Sequence, residues 1–249
     1  LFSDSSRAPV GTITTWTWDF ADGSGLIVRN NATPFTHTFN QAGDYLVKLY
    51  VTTNHGCNSI VKAITVHINP LPKPSFTFPD TACLPASRIQ FNNTSTIADG
   101  TENTFTYLWN FGDPASGPAN ASTAKNPVHI YAGVGPYSVN LKVKSGAGCI
   151  KDSTIIVNTI HPQPKARFEF SKPSVCIGDN VICLDRTDGK DGTLSAWYWS
   201  FGDNSYSTVQ NPEHIYSEVG DYKVEFYSIN SFGCNSDTIS KTFTVYPYP

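Results

Sequence analysis

Six histidines, six cysteines and a loop of closely spaced aspartates are the residues of this 249-residue chain whose types could do chemistry. Imidazoles exchange protons near neutral pH, thiols bridge or bind metal, and clustered carboxylates hold hard cations. His37, His129 and His214 recur at one position of a repeat, where catalysis would need the same site in triplicate. Repetition favours a packed, hydrogen-bonded histidine. His55, His67 and His161 have no equivalents, and the five glutamates offer no pair for glycosidase-type acid–base work. His-Glu-x-x-His, Gly-x-Ser-x-Gly and phosphate-cradling Gly-Lys-Ser/Thr motifs are absent, so no enzyme is expected. Asp185, Asp188 and Asp191 share one turn-rich loop, a weak calcium candidate set against the commoner use of Asp in turns. Zinc is disfavoured because no Cys-x-x-Cys pair occurs. No other cofactor is implied.

The elements that carry these residues repeat three times. The first block is Trp16-Thr-Trp18-Asp-Phe20-Ala-Asp22, then Tyr107-Leu-Trp109-Asn-Phe111-Gly-Asp113, then Trp197-Tyr-Trp199-Ser-Phe201-Gly-Asp203. A second block follows with Pro34, His37 and Phe39, then Pro127, His129 and Tyr131, then Pro212, His214 and Tyr216. The third opens on Gly43, Gly135 and Gly220 and carries Tyr45, Tyr137 and Tyr222. From His to Tyr is 8 residues in every copy, and from Tyr to the next Cys (Cys57, Cys149, Cys234) is 12. Tyr45, Val47, Leu49 and Val51 alternate with polar neighbours, as do Tyr137, Val139, Leu141 and Val143. That period of two, with Trp16, Trp18 and Phe20 on one side of their strand, predicts β-strands with an aromatic inner face. Short strands between Gly, Asp, Asn and Pro turns predict an all-β chain of immunoglobulin-like sandwiches.

Proline-rich junctions at Asn69–Pro74 and His161–Pro164 punctuate the copies, and Tyr246–Pro249 has the same character. Alternating prolines remove backbone donors and fix φ, so the junctions are expected to be stiff, polyproline-like spacers. The expected layout is a first domain at 1–69 lacking its N-terminal strand, a linker at 70–74, and a second domain at 75–160. A linker at 161–165, a third domain at 166–246 and the start of another linker at 247–249 complete it. The absence of any Met and of an upstream strand in copy one reads as a window on a longer array. Seventeen basic against 20 acidic residues leave no surplus to neutralise phosphates, which argues against nucleic acid. Apolar runs of only a few residues exclude a transmembrane helix and direct membrane insertion.

With these blocks in hand, the chain resembles three tandem PKD domains, and the resemblance covers essentially every residue outside the linkers. It implies immunoglobulin-like sandwiches, an extracellular or cell-surface setting, and spacing, adhesion or ligand binding rather than catalysis. The paired cysteines and Pro-x-Pro linkers are similar to the PKD arrays of large Bacteroidota surface proteins exported by the type IX system and tied to gliding or adhesion. In that reading the copies form a stalk or filament segment whose partners are other domains of the same chain. The alternative is a set of accessory modules that hold polysaccharide or protein for a secreted hydrolase, with Tyr50, Tyr206 and Tyr227 as the outward aromatic candidates.

Six cysteines allow 15 pairings. Repeat equivalence points to Cys83 with Cys149 and Cys176 with Cys234, each within one domain, with the partner of Cys57 upstream of Leu1. Cys183 aligns with Gln90, on the outward side of its strand, and is expected to be a surface thiol or a bridge to a neighbouring chain. Thr81, Ser153 and Thr238 lie in Asp-Ser/Thr-x tripeptides resembling the O-glycan acceptor of Bacteroidota. Asn31, Asn92, Asn93 and Asn120 begin Asn-x-Ser/Thr sequons, which matter where the source uses N-glycosylation.

Overall fold

A computed structural model describes residues 1–85 and 87–249. The chain is nearly all β, 48% strand and 4% helix, with the immunoglobulin-like sandwich expected of its alternating pattern. It divides into two compact units: Leu1–Pro74 with Ser95–Thr106 and Lys142–Asp152, and Ser75–Thr94 with Tyr107–Leu141 and Ser153–Pro249.

In each repeat a short outer strand, the Trp strand, a long strand and a last strand lie side by side in the same order, and in repeat three Ser174–Cys176 adds a fifth strand parallel to the last. The Trp strands are Ile13–Asp19, Thr106–Asn110 and Leu194–Ser200. The long strands are Gly43–Thr53, Tyr137–Lys144 and Gly220–Asn230. The last strands are Lys62–Ile68, Ile150–Val157 and Ile239–Tyr246. Cross-strand pairing sets Trp18 beside Leu49 and Trp199 beside Phe226, so side chains on one face bury together. A bulge at the start of the Trp strand, at Ile13/Thr15 and again at Leu194/Ala196, shifts the register at the same place in repeats one and three.

A smaller sheet closes the other side. In repeat three it comprises Phe168–Phe170, Asn180–Asp185 and Glu213–Ile215. Phe168 meets Trp199 edge-on at 5.2 Å, as Phe76 meets Trp109 at 5.0 Å in repeat two. In repeat one Trp18, Val47, Leu49, Val51, Ile64 and Val66 line a groove. Trp18 keeps 7% of its surface exposed, whereas Trp109 keeps none.

The Trp strand ends in a tight turn that needs positive φ: Ala21 at 54°, Gly112 at 69° and Gly202 at 84°. A Cβ at Gly112 would stand 2.5 Å from the Ser138 carbonyl oxygen, and one at Gly202 2.9 Å from that of Lys223. At this position of the turn repeat one alone carries a Cβ. Ala21→Gly is expected to stabilise repeat one by roughly 0.5–1 kcal/mol in urea unfolding, since the strain relieved exceeds the entropy added to the unfolded chain. Gly112→Ala is expected to move stability the other way.

Cys183 departs from its expected place. Its backbone N–H donates to the Pro212 carbonyl at 2.9 Å, as that of Phe91 donates to Pro127 at 2.9 Å. Val181 pairs with His214 as Ile89 pairs with His129. Cys183 is thus the counterpart of Phe91, not of Gln90, and one residue of register turns it inward. It is 1% exposed in the aromatic core, and burial pushes its thiol up to about 12. The large side chain changes places across the sandwich. Repeat two buries Phe91 and Leu141 where repeat three buries Cys183 and Phe226, and Phe226 stacks on Trp199 at 4.1 Å. Cys183→Phe alone should overpack and cost about 1–3 kcal/mol, and Phe226→Leu in the same chain should recover most of it in a double-mutant cycle.

Candidate functional site: the junction of the second and third repeats

The recurring His, Asp and Tyr residues form one structural unit per repeat. His37, His129 and His214 stack on Phe20, Phe111 and Phe201 at 3.7, 4.4 and 4.1 Å. Their Nε2 atoms lie 2.6, 3.1 and 2.7 Å from carboxylate oxygens of Asp22, Asp113 and Asp203. Tyr131 and Tyr216 donate to the Phe111 and Phe201 carbonyls at 2.9 and 3.0 Å, and burial raises both phenols above their ordinary range. Phe39, lacking the hydroxyl, stands at that place in repeat one. Tyr45 and Tyr222 donate to the Gln41 and Glu218 carbonyls, each at 2.9 Å, and tie the long strand to the turn before it. These groups cross-brace a core.

The brace has a pH signature. Hydrogen bonds from Ser24 and then His37 hold the Asp22 carboxyl down to about 2, below its ordinary 3.8. Burial pushes Asp203 upward, but its bonds from Ser205 and His214 outweigh this and leave it lowered. A carboxylate depressed in the folded state stabilises fully above its unfolded value and loses that contribution as pH falls through the folded one. Melting temperature should therefore hold from neutrality to about pH 4 and fall between about pH 4 and 2. A scan of melting temperature against pH checks this, and Asp22→Asn should flatten the acid limb for repeat one.

At the second linker three elements meet. Ala82–Cys83 lies parallel to Ile160–His161, with Cys83 opposite His161. The Ala82 and Leu84 N–H groups donate to the Thr159 and His161 carbonyls at 2.8 and 2.9 Å. The His161 ring stacks on Phe232 of repeat three at 3.5 Å and 6°, and its Nδ1 lies 2.8 Å from an Asp191 oxygen. Between these groups Cys83 is disulfide-bonded to Cys234, with Cα atoms 5.5 Å apart. Cys234 is fully buried. The Asn230 side-chain oxygen accepts from the N–H groups of Phe232 and Cys234 at 3.1 and 3.0 Å and shapes the turn that presents the thiol.

This pairing corrects the expected one. Cys149 and Cys176 are free thiols, so neither Cys83–Cys149 nor Cys176–Cys234 forms. Each expected pair flanks a whole strand: Cys149 precedes Ile150–Val157 while Cys83 sits beside His161 after it, and Cys234 precedes Ile239–Tyr246 while Cys176 pairs with Tyr246 at its end. An eight-residue strand spans about 26 Å, far beyond the 4.4–6.8 Å between Cα atoms that a disulfide bridges. The turn of the next repeat is what reaches Cys83.

The loop carboxylates do not converge. Asp185 accepts from Trp197 Nε1 at 2.8 Å, Asp188 pairs with Lys190 at 2.8 Å, and Asp191 turns to His161. Among the described residues no three His, Cys, Asp or Glu are placed to share a metal ion. Of the outward tyrosines, Tyr206 is 74% exposed and lines an open groove with Tyr227, which stacks on Tyr198 at 4.6 Å and 9°. Tyr50 is half-buried. Thr81 and Thr238 are exposed and Ser153 is half-buried. Phe232 and His161, central to the junction, stand where the other copies have His55 or Ala147 and Asn69 or Tyr246, so comparison of the copies gives no sign of them.

The profile of the PKD domain family matches residues 2–68, 69–160 and 161–245. The collagenase ColA of Bacillus cereus is 34% identical over 104 residues, covering 40% of this chain and 10% of that protein. Collagenase ColA of Clostridium perfringens is 27% identical over 117 residues, covering 43% of this chain and 11% of its own. The chain thus spans about a tenth of the length of these relatives. The solved PKD1 domain of the Vibrio cholerae metalloprotease PrtV is 28% identical, covering 34% of this chain and 98% of that one, with a TM-score of 0.30.

Proposed function

This chain belongs to the PKD domain family in three consecutive copies, and from that premise we propose that it is a non-catalytic structural segment of a larger extracellular protein, a spacer that sets reach. The observation that carries the reading is the Cys83–Cys234 bond, which joins one repeat to the next beside a Pro-Gln-Pro linker. A linker with fixed φ limits bending, and a second covalent tie across the same joint limits it further. Disulfides persist in oxidising surroundings, which supports a secreted or surface setting. In its finer form the segment is the stalk of a surface adhesin of the Bacteroidota type, with Thr81, Ser153 and Thr238 as glycan acceptors on its sides.

The collagenase relatives favour a second reading, that of accessory modules which hold a substrate for a catalytic domain elsewhere in the parent chain. The Tyr198, Tyr206 and Tyr227 surface is its natural platform, since sugar rings and peptide side chains both pack on exposed aromatic faces.

One experiment separates them. The oxidised chain is sedimented with fibrillar collagen and with insoluble polysaccharides. The spacer reading expects it to stay in the supernatant, with Tyr206→Ala and Tyr227→Ala indistinguishable from the parent. Retention that those two substitutions abolish would replace the spacer with the accessory module.

A further inference from the structure

Two cysteines of this chain occupy the leading position of the inter-repeat bond, and three occupy the trailing one. In repeat two, Cys83 pairs in parallel with His161, and in repeat three Cys176 pairs in parallel with Tyr246. Both partner residues immediately precede a Pro-x-Pro segment. Cys176 therefore matches Cys83 in strand direction, register and distance from the linker.

Cys234 sits in a turn that Cys57 and Cys149 reproduce. The N–H groups of Thr53, Ser145 and Asn230 donate to the carbonyls of Cys57, Cys149 and Cys234 at 3.0, 2.9 and 3.1 Å. The preceding glycines, Gly56, Gly148 and Gly233, all have positive φ. The unpaired members of both sets reach the surface: Cys57 is exposed, and Cys149 and Cys176 are half-buried. Buried Cys183 belongs to neither set.

We propose that the Cys83–Cys234 bond is one rung of a repeating joint, in which Cys176 leads and Cys57 and Cys149 trail in the same bond to adjoining PKD repeats. The partner is a repeat of this family that presents the complementary cysteine, a trailing turn after Cys176 and a leading strand before Cys57 or Cys149. Each rung forms as two thiols lose two protons and two electrons to a small-molecule disulfide such as oxidised glutathione, which leaves as two thiols. The inference rests on the tandem-array part of the functional reading and is indifferent to whether the array is a spacer or a binding module.

To test it, the full chain is extended after Pro249 with a second copy of residues 165–249, which places a new trailing turn behind the Pro-Tyr-Pro segment as the present one lies behind Pro-Gln-Pro. The protein is oxidised with glutathione disulfide, alkylated under native conditions and mapped by non-reducing peptide mass spectrometry. The expected product links Cys176 to the appended copy's Cys234 and retains Cys83–Cys234, while native alkylation of Cys176 falls at least tenfold relative to the unextended chain. Protection of Cys183 in both copies reports that the appended repeat has folded, because that thiol is buried. Cys176 still open to alkylation, or bonded to any other cysteine, in molecules with both copies of Cys183 protected would overturn the proposal. Binding of collagen or polysaccharide by the same protein would displace the spacer reading and leave this result untouched.

Discussion

Cys234→Ser is expected to lower the melting temperature of the third repeat by more than about 10 °C, and dithiothreitol is expected to do the same to the unmodified chain. Cys83 lies directly beside His161. While repeat two stays folded, the bond thus closes a loop that runs from His161 to Cys234, 73 residues in sequence. Chain entropy sets the worth of such a closure at about 4 kcal/mol. For a domain of this size each 1 kcal/mol moves the midpoint by roughly 4–8 °C. Serine at Cys234 also leaves a hydroxyl in a fully buried place, so Cys83→Ser, half-buried, is the cleaner variant. Differential scanning calorimetry of the two variants and of the reduced parent should show the third repeat melting early and the first repeat unmoved. A third-repeat transition indifferent to reductant would mean that the loop is not closed in solution.

Trp199→Ala should cost about 3–5 kcal/mol, enough to unfold the third repeat in mild urea. Its indole is 2% exposed, stacks on Phe226 at 4.1 Å, meets Phe168 at 5.2 Å, and donates from Nε1 to the Val209 carbonyl at 3.0 Å. Truncation leaves a cavity between two sheets and an unpaired acceptor. Trp18→Ala should cost distinctly less, about 2 kcal/mol, because its ring already borders the open groove of repeat one and less packing is lost. Urea titrations followed by tryptophan fluorescence would order the two. Equal costs would mean that the groove is closed in solution.

The sandwich was legible because its core positions are large, aromatic and spaced by two. Trp16, Trp18 and Phe20 announce an inner face, and all three are buried. The His–Asp brace was half legible. Recurrence argued that His37, His129 and His214 are structural, but nothing in the spacing named Asp22, Asp113 and Asp203 as their partners. The face of Cys183 is not legible because Ile182-Cys183-Leu184 offers apolar residues at both phases of the alternation, and a slip of one residue exchanges the faces. The disulfide is hidden from the sequence for a different reason. Comparison of copies finds which positions correspond but carries no information on whether a partner lies in the same copy or the next. Only the length of the intervening strand decides that, and it places the two ends of one repeat too far apart.

The Cys83–Cys234 bond also changes what cutting the chain can do. Every peptide bond from Cys83 to Cys234, the Pro162-Gln163-Pro164 linker included, lies inside the ring that the disulfide closes. A protease that severs any one of them opens the ring without dividing the molecule, and the fragments part only under reductant. A single nick in the linker therefore costs the molecule no covalent continuity, and its two ends stay attached through a first cleavage.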